Sequence, residues 1–163
     1  MPLYFIEMGQ GVIARPEMRV RTSCLSSCTM VTGWSATTNF GGAFHYPARH
    51  HKNEEVLAAM ALWVFYLKPT VIKLLFADSK NYGMGTKESD RNFMHAWVTR
   101  ETGLIATSDA AVAAHMALTA NLQFHAGNAN TVPGDFGPKA LDLSNMPAGD
   151  YSYHNFILVG RKM

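Results

Sequence analysis

The chain holds only two cysteines, Cys24 and Cys28, among 163 residues. Two cysteines cannot build the multi-bridge framework of a small secreted domain, and a reducing, cytoplasmic setting is the simplest expectation. Charge is also scarce: 16% of residues are charged, and 14 Lys and Arg nearly balance 12 Asp and Glu, for a net +2. With no block of basic residues, nucleic acid is not the expected partner. The opening MPLYFIEMGQ lacks the basic start and long apolar stretch of a secretory leader. Export by a system that needs no cleavable signal leaves the same composition. The longest apolar run, Val56–Leu67, has twelve residues. A membrane span needs about 20, so the run reads as a buried helix. Repeats, linkers and low-complexity segments are missing too, so residues 1–163 read as one domain.

What the chain does have is apolar material, 48% of its residues. That suffices for a real core. LYFIEM and GVIARP read as short strands interrupted by Gly9 and Gly11, and MRVRTS alternates apolar and polar with the strand period. CTMVTGWSA and GAFHYP flank the turn TNFGG as a hairpin. Asn53 is placed to cap a helix whose first turn carries Glu54 and Glu55 and which Lys68-Pro69 stops. TVIKLLFA has the β-branched character of a central strand. DSKNYGMG is a loop, and TKESDRNFMHAWVTRETG a second helix, with Phe93/Trp97 and Met94/Val98 as i,i+4 pairs and Gly103 as its stop. LIAT is a candidate strand, and SDAAVAAHMALTANL an Ala-rich candidate helix capped by Ser108. GNANTVPGDFGPK reads as a long loop and YHNFILVGRK as a closing strand. The order predicts an α/β (α+β) fold, a central mixed β-sheet or sandwich flanked by helices.

Chemistry concentrates in TSCLSSC, residues 22–28, and in FGGAFHYPA. A Cys24–Cys28 disulfide needs the segment to turn back on itself, because extended chain holds the Cα atoms too far apart. Zinc could take both cysteines, His45 and one of His50 and His51, though the spacing is not the paired signature of structural zinc sites. Burial as an inert thiol is the ordinary fate of cysteine and the preferred reading of Cys24. For Cys28 a nucleophile reading stands beside it. His45 follows seventeen residues later on the partner strand of the hairpin, a separation in sequence that becomes a short distance in space. A thiol nucleophile needs such a base, and the base needs a group to orient its ring, for which Thr22 is placed. Ser26 and Ser27 are small enough for backbone N–H groups near Cys28 to approach an oxyanion. Trp34, Trp63 and Trp97 read as core, His95 and His115 as structural, His50 and His51 as solvated, and Asp78, at a strand end, as either a support to the site or a turn residue.

Thr22-x-x-x-x-Ser27-Cys28, a Gly-rich hairpin, and then His45 just before a Pro resemble the CheD family, the chemoreceptor glutamine deamidases. The Gly-containing strand pair of MGQGVIARP, the Arg-Asn helix after a Met-Gly loop in GMGTKESDRNF, and the strand NFILVGRK extend the likeness over most of the chain. The Cys-His-Thr fold of the cytotoxic necrotizing factor type deamidase toxins is similar as well. The resemblance implies a cysteine-dependent protein-glutamine glutaminase, with Cys28 as nucleophile, His45 as base and Thr22 as its orienting group. It implies no cofactor or metal, a protein substrate with an exposed glutamine, and a possible regulatory adaptor. The chain departs from the family at Cys24-Leu25-Ser26, at Ala77-Asp78 and at Ala110-Ala111, where glycines are usual. Those changes predict different loops around the cleft, and with them a different target. An effector that deamidates a host protein and a catalytically inert binding module of the same fold are the alternatives.

Overall fold

At the start of the chain, successive strands alternate between two different sheets. The structure is a computed structural model and describes residues 3–14, 19–25, 27–47, 54–78, 85–112, 120–125 and 156–158. The strands are β1 (Leu3–Ile6), β2 (Gly11–Ala14), β3 (Arg19–Leu25), β4 (Thr29–Ser35), β5 (Phe40–Tyr46), β6 (Val71–Asp78), β7 (Thr107–Val112), β8 (Ala120–His125) and β9 (Phe156–Leu158). The helices are α1 (Glu54–Leu67) and α2 (Glu88–Thr102). A six-stranded mixed sheet runs β7-β6-β4-β5-β2-β9, and a three-stranded sheet runs β1-β3-β8. This is the α+β class that the element order predicts.

The β4–β5 hairpin is the centre of the larger sheet. Thr29 faces Tyr46 and Ser35 faces Phe40, and the turn between them closes with Asn39 N–H on Ser35 O at 2.9 Å. Asn39 takes a positive φ of 58°, which asparagine tolerates better than most residues. Strand alternation then sorts the side chains onto two faces. Val31, Phe44, Tyr46, Ile72, Leu74 and Phe76 form a core with Met60, Trp63 and Leu67 of α1 and Met94, Trp97 and Val98 of α2. The alternate residues Val12, Ala14, Met30, Ala43, Leu75 and Ala77 are buried on the other face, and the small sheet contributes buried Ile6, Val20 and Thr22. Helices therefore cover one face of the large sheet, and a second sheet covers the other.

Several expectations need correction. β1 and β2 do not pair: β1 runs parallel to β3 in the small sheet, while β2 pairs with β5 and β9 in the large one. The segment expected as an Ala-rich helix provides strands, β7 parallel to β6 and β8 antiparallel to β3. Alanine's helical advantage is a fraction of a kcal/mol per residue, and backbone pairing along two open sheet edges overrides it. LIAT is not a strand of its own; β7 starts only at its last residue, Thr107. Helix α1 is not buried on all sides, since Leu62, Phe65 and Tyr66 are exposed, and Trp34 is only half-buried. The expected cap Asn53, most of the loop after β6, the Gly/Pro loop, and His50, His51 and His115 lie outside the described residues.

Helix α1 sits low on the sheet because glycines lie beneath it. The Trp63 indole N–H donates to Val12 O at 3.0 Å, and its ring passes over Gly42. A Cβ at Gly42 would stand 2.5 Å from Val12 O and 2.9 Å from Trp63 Nε1. Neither neighbour can retreat, as one is backbone and the other is a fully buried ring. Helix α2 ends where Gly103 adopts φ 72° and its N–H closes on Thr99 O at 2.9 Å. We predict that Gly42→Ala lowers stability by about 1–3 kcal/mol, the usual cost of overpacking. Urea denaturation should show a lower midpoint with an unchanged slope.

Candidate active site

Thr22 is fully buried on β3 and lies on the same face as Val20. Its hydroxyl donates to Ile6 O at 2.8 Å. The hydroxyl has a single proton, so its 2.7 Å contact with His45 Nδ1 is an N–H donation from the ring to Thr22 Oγ1. That assignment leaves His45 Nε2 with its lone pair. Nε2 is buried and has no hydrogen-bond partner. Burial of the ring lowers the His45 pKa from 6.5 to about 4, so the imidazole is neutral at pH 7.

The backbone of His45 is held as firmly as its ring. His45 N–H donates to Gln10 O at 2.9 Å, and Gly9 N–H donates to His45 O at 2.7 Å. Gly9 and Gln10 belong to the tight turn between β1 and β2, in which Gln10 N–H reaches Glu7 O at 3.0 Å and Glu7 N–H reaches Gln10 Oε1 at 3.1 Å. Gly9 adopts φ 83°, a conformation glycine takes without a Cβ penalty. The turn that carries the chain from the small sheet to the large one is thus tied to His45.

Cys28 lies where the chain crosses back between sheets, after β3 and one residue before β4. It is 5% exposed and carries a thiol rather than a disulfide. The register pairs Met30 with His45, and Cys28 precedes Met30 by two residues. Alternation puts Cys28 on the His45 face as its diagonal neighbour, a relation of roughly 7 Å between strands that side chains can bridge. In the structure the thiol donates to Met8 Sδ at 3.9 Å. Met8 stands half-exposed at the tip of the β1–β2 turn. Between Thr22 and Leu25 the β3–β8 register shifts, a bulge of the kind that re-aims side chains beside active sites.

The fold therefore brings Thr22 and His45 into contact, and alternation sets Cys28 on the His45 face of the large sheet. Ser27 is half-buried beside Cys28; Ser26 and the Cys24 side chain lie outside the described residues, as does the side chain of Asp78. Among the described residues, no three His, Cys, Asp or Glu side chains converge as a metal site would require. No helix among them is long and apolar enough to cross a membrane. His95 packs its ring against Phe76 at 5.7 Å, as expected of a structural residue. Two contributors escaped sequence reasoning, Met8 and Thr86, whose hydroxyl donates to Cys28 O at 2.7 Å. Thr86 stands just before α2, whose cap position Lys87 holds. No protein-family model matches the chain, and a search of curated proteins returns no match.

A pH test follows from His45. Its folded pKa lies below the ordinary value, so the unfolded chain binds more protons between pH 6.5 and about 4. The contribution of His45 is complete above pH 6.5, falls as the solution is acidified through that window, and is gone below about 4. The loss is on the order of 3 kcal/mol. Urea midpoints at stepped pH should show this acid-side loss in the wild type and a shallower one in His45→Gln.

Proposed function

We propose that the protein is a cysteine-dependent amide hydrolase that converts protein glutamine to glutamate, with Cys28 as nucleophile, His45 as base and Thr22 as the residue that orients the base. One observation supports this reading: Thr22 accepts the Nδ1 proton while its own proton is held by Ile6 O, so the nitrogen left as a base is buried, on the sheet face that strand alternation also gives to Cys28. A random histidine in a core satisfies both its nitrogens. Here one is kept available.

The chemistry runs as follows. A rotation about Cα–Cβ takes Sγ from Met8 toward Nε2. Burial disfavours thiolate and imidazolium separately, but each stabilises the other once they form together. The Sγ proton passes to Nε2 as sulfur attacks the glutamine Cδ. The C–N bond then breaks, Nε2 returns the proton to the leaving nitrogen, and ammonia departs from a thioester. Water gives a proton to Nε2 and its oxygen to Cδ; the C–S bond breaks, and the thiol is re-formed. The sum is glutamine plus water to glutamate plus ammonia, without a redox partner. The target gains one negative charge, enough to switch a helix packing or an interface.

The amide substrate class comes from the likeness of the Thr22/Cys28/His45 pattern to CheD-type deamidases, which makes a chemoreceptor-like protein the first target and a host protein the second. A binding module without catalysis is the competing reading, favoured by the thiol's turn toward Met8. Catalytic hydrogen bonds are often long before substrate binds, so that turn does not decide the matter.

Extracts from a motile bacterium and from animal cells provide two substrate pools. Incubation with the wild type should release ammonia and convert specific glutamines to glutamate, read by peptide mass spectrometry. The pool that responds separates the two targets. Cys28→Ser should release none, and Thr22→Val should fall by about a hundredfold through loss of the oriented base. Full activity in Cys28→Ser would contradict the mechanism.

A further inference from the structure

The pairing of β4 with β6 stops one residue short of Cys28. The last matched pair is Thr29 with Phe76, and the next would set Cys28 against Ala77. Thr86 occupies that place. Ala77 N–H donates to Thr86 Oγ1 at 2.8 Å, and the Thr86 hydroxyl donates onward to Cys28 O at 2.7 Å. A hydroxyl thus stands as a relay where a direct N–H to carbonyl bond would continue the sheet. The direction is unambiguous, because Ala77 N–H can only donate and Cys28 O can only accept.

The relay is itself braced. Thr86 is 5% exposed, and its N–H closes on Ala77 O at 2.9 Å. Its carbonyl accepts Arg91 Nε at 3.0 Å, while the Arg91 guanidinium lies 5.2 Å above the Phe76 ring centroid. Both hydrogen-bonding groups of the Thr86 backbone and both roles of its hydroxyl are in use. The first turn of α2 and the end of β6 are thereby locked to the backbone of Cys28.

We propose that Thr86 is a positioning residue for the nucleophile: by holding the Cys28 carbonyl off the sheet at a fixed place, it sets the direction of the Cα–Cβ bond from which the thiol reaches His45. The inference rests on the proposed reading of Cys28 and His45 as a working pair. It differs from a purely structural role in its consequence, because the reactivity of one thiol depends on a hydroxyl that does not touch the thiol.

The test is the rate of Cys28 alkylation by iodoacetamide against pH, followed by peptide mass spectrometry, with thermal melts to verify folding. Wild type should react fast at neutral pH, and His45→Ala should slow it. Thr86→Val keeps the shape and removes the hydroxyl; it should slow alkylation about tenfold and move the pH midpoint toward that of an ordinary thiol. Thr86→Ser, which keeps the relay, should restore the wild-type profile. A folded Thr86→Val with wild-type rate and midpoint, alongside a slowed His45→Ala, overturns this inference and leaves the function standing. Slow alkylation in the wild type, unchanged in His45→Ala, overturns both. Should Thr86→Val fail to fold, Arg91→Met serves instead: loss of the brace should slow alkylation about threefold, and an unchanged rate overturns the inference.

Discussion

The hydrogen bond between Thr22 and His45 is the contact on which the site depends. It joins β3 of the small sheet to β5 of the large one, at 2.7 Å, between two fully buried side chains. A buried polar group left without its partner costs about 1–3 kcal/mol, so stacking of the sheets and choice of imidazole tautomer are decided together. Ile6 enters because its carbonyl holds the threonine proton, and the β1–β2 turn enters because Gly9 and Gln10 hold the His45 backbone. Three segments, β1, the turn after it and β3, thus orient one ring.

The path of the chain explains why the thiol lies there. After Thr22 the chain must leave the small sheet and begin the central strand of the large one, and Cys28 is the last residue of that crossing. A residue at a crossing is held by the sheets on both sides of it without being committed to either ladder. The helices act from the far face. Trp63 fills the hollow over Gly42, and α2 sends Thr86 and Arg91 around the end of β6 to fix the crossing from behind. Burial between the sheets keeps His45 neutral and leaves Nε2 with a bare lone pair.

Much of this was legible in the residues, for local reasons. The β4–β5 hairpin could be read from alternation and a turn, and with it the place of His45 opposite the start of the strand that follows Cys28. The two helices were readable from the acidic first turn and Lys68-Pro69 stop of α1 and from the i,i+4 pairs and Gly103 stop of α2. Partner choice was not, because β1 and β2 adjoin in sequence and look like a pair, while a turn and a change of sheet separate them. The alanines of Thr107–Val112 favour helix weakly, and only the open edge of β6 makes them a strand. The outward Leu62, Phe65 and Tyr66 look like core in a sequence because an apolar run does not disclose which of its faces lacks a neighbour. Thr86 and Met8 reach Cys28 from distant or unremarkable positions, through contacts that exist only after the sheets have stacked.

The most direct measurement is the nitrogen NMR spectrum of the His45 ring in the intact protein, followed from neutral to acidic pH. The account predicts a neutral ring protonated at Nδ1, with Nε2 bare, and a titration near pH 4 rather than 6.5. It also predicts that Thr22→Val abolishes the single tautomer. A ring protonated at Nε2 at neutral pH, or one titrating at the ordinary value, would contradict the claim that Thr22 makes His45 the base for Cys28.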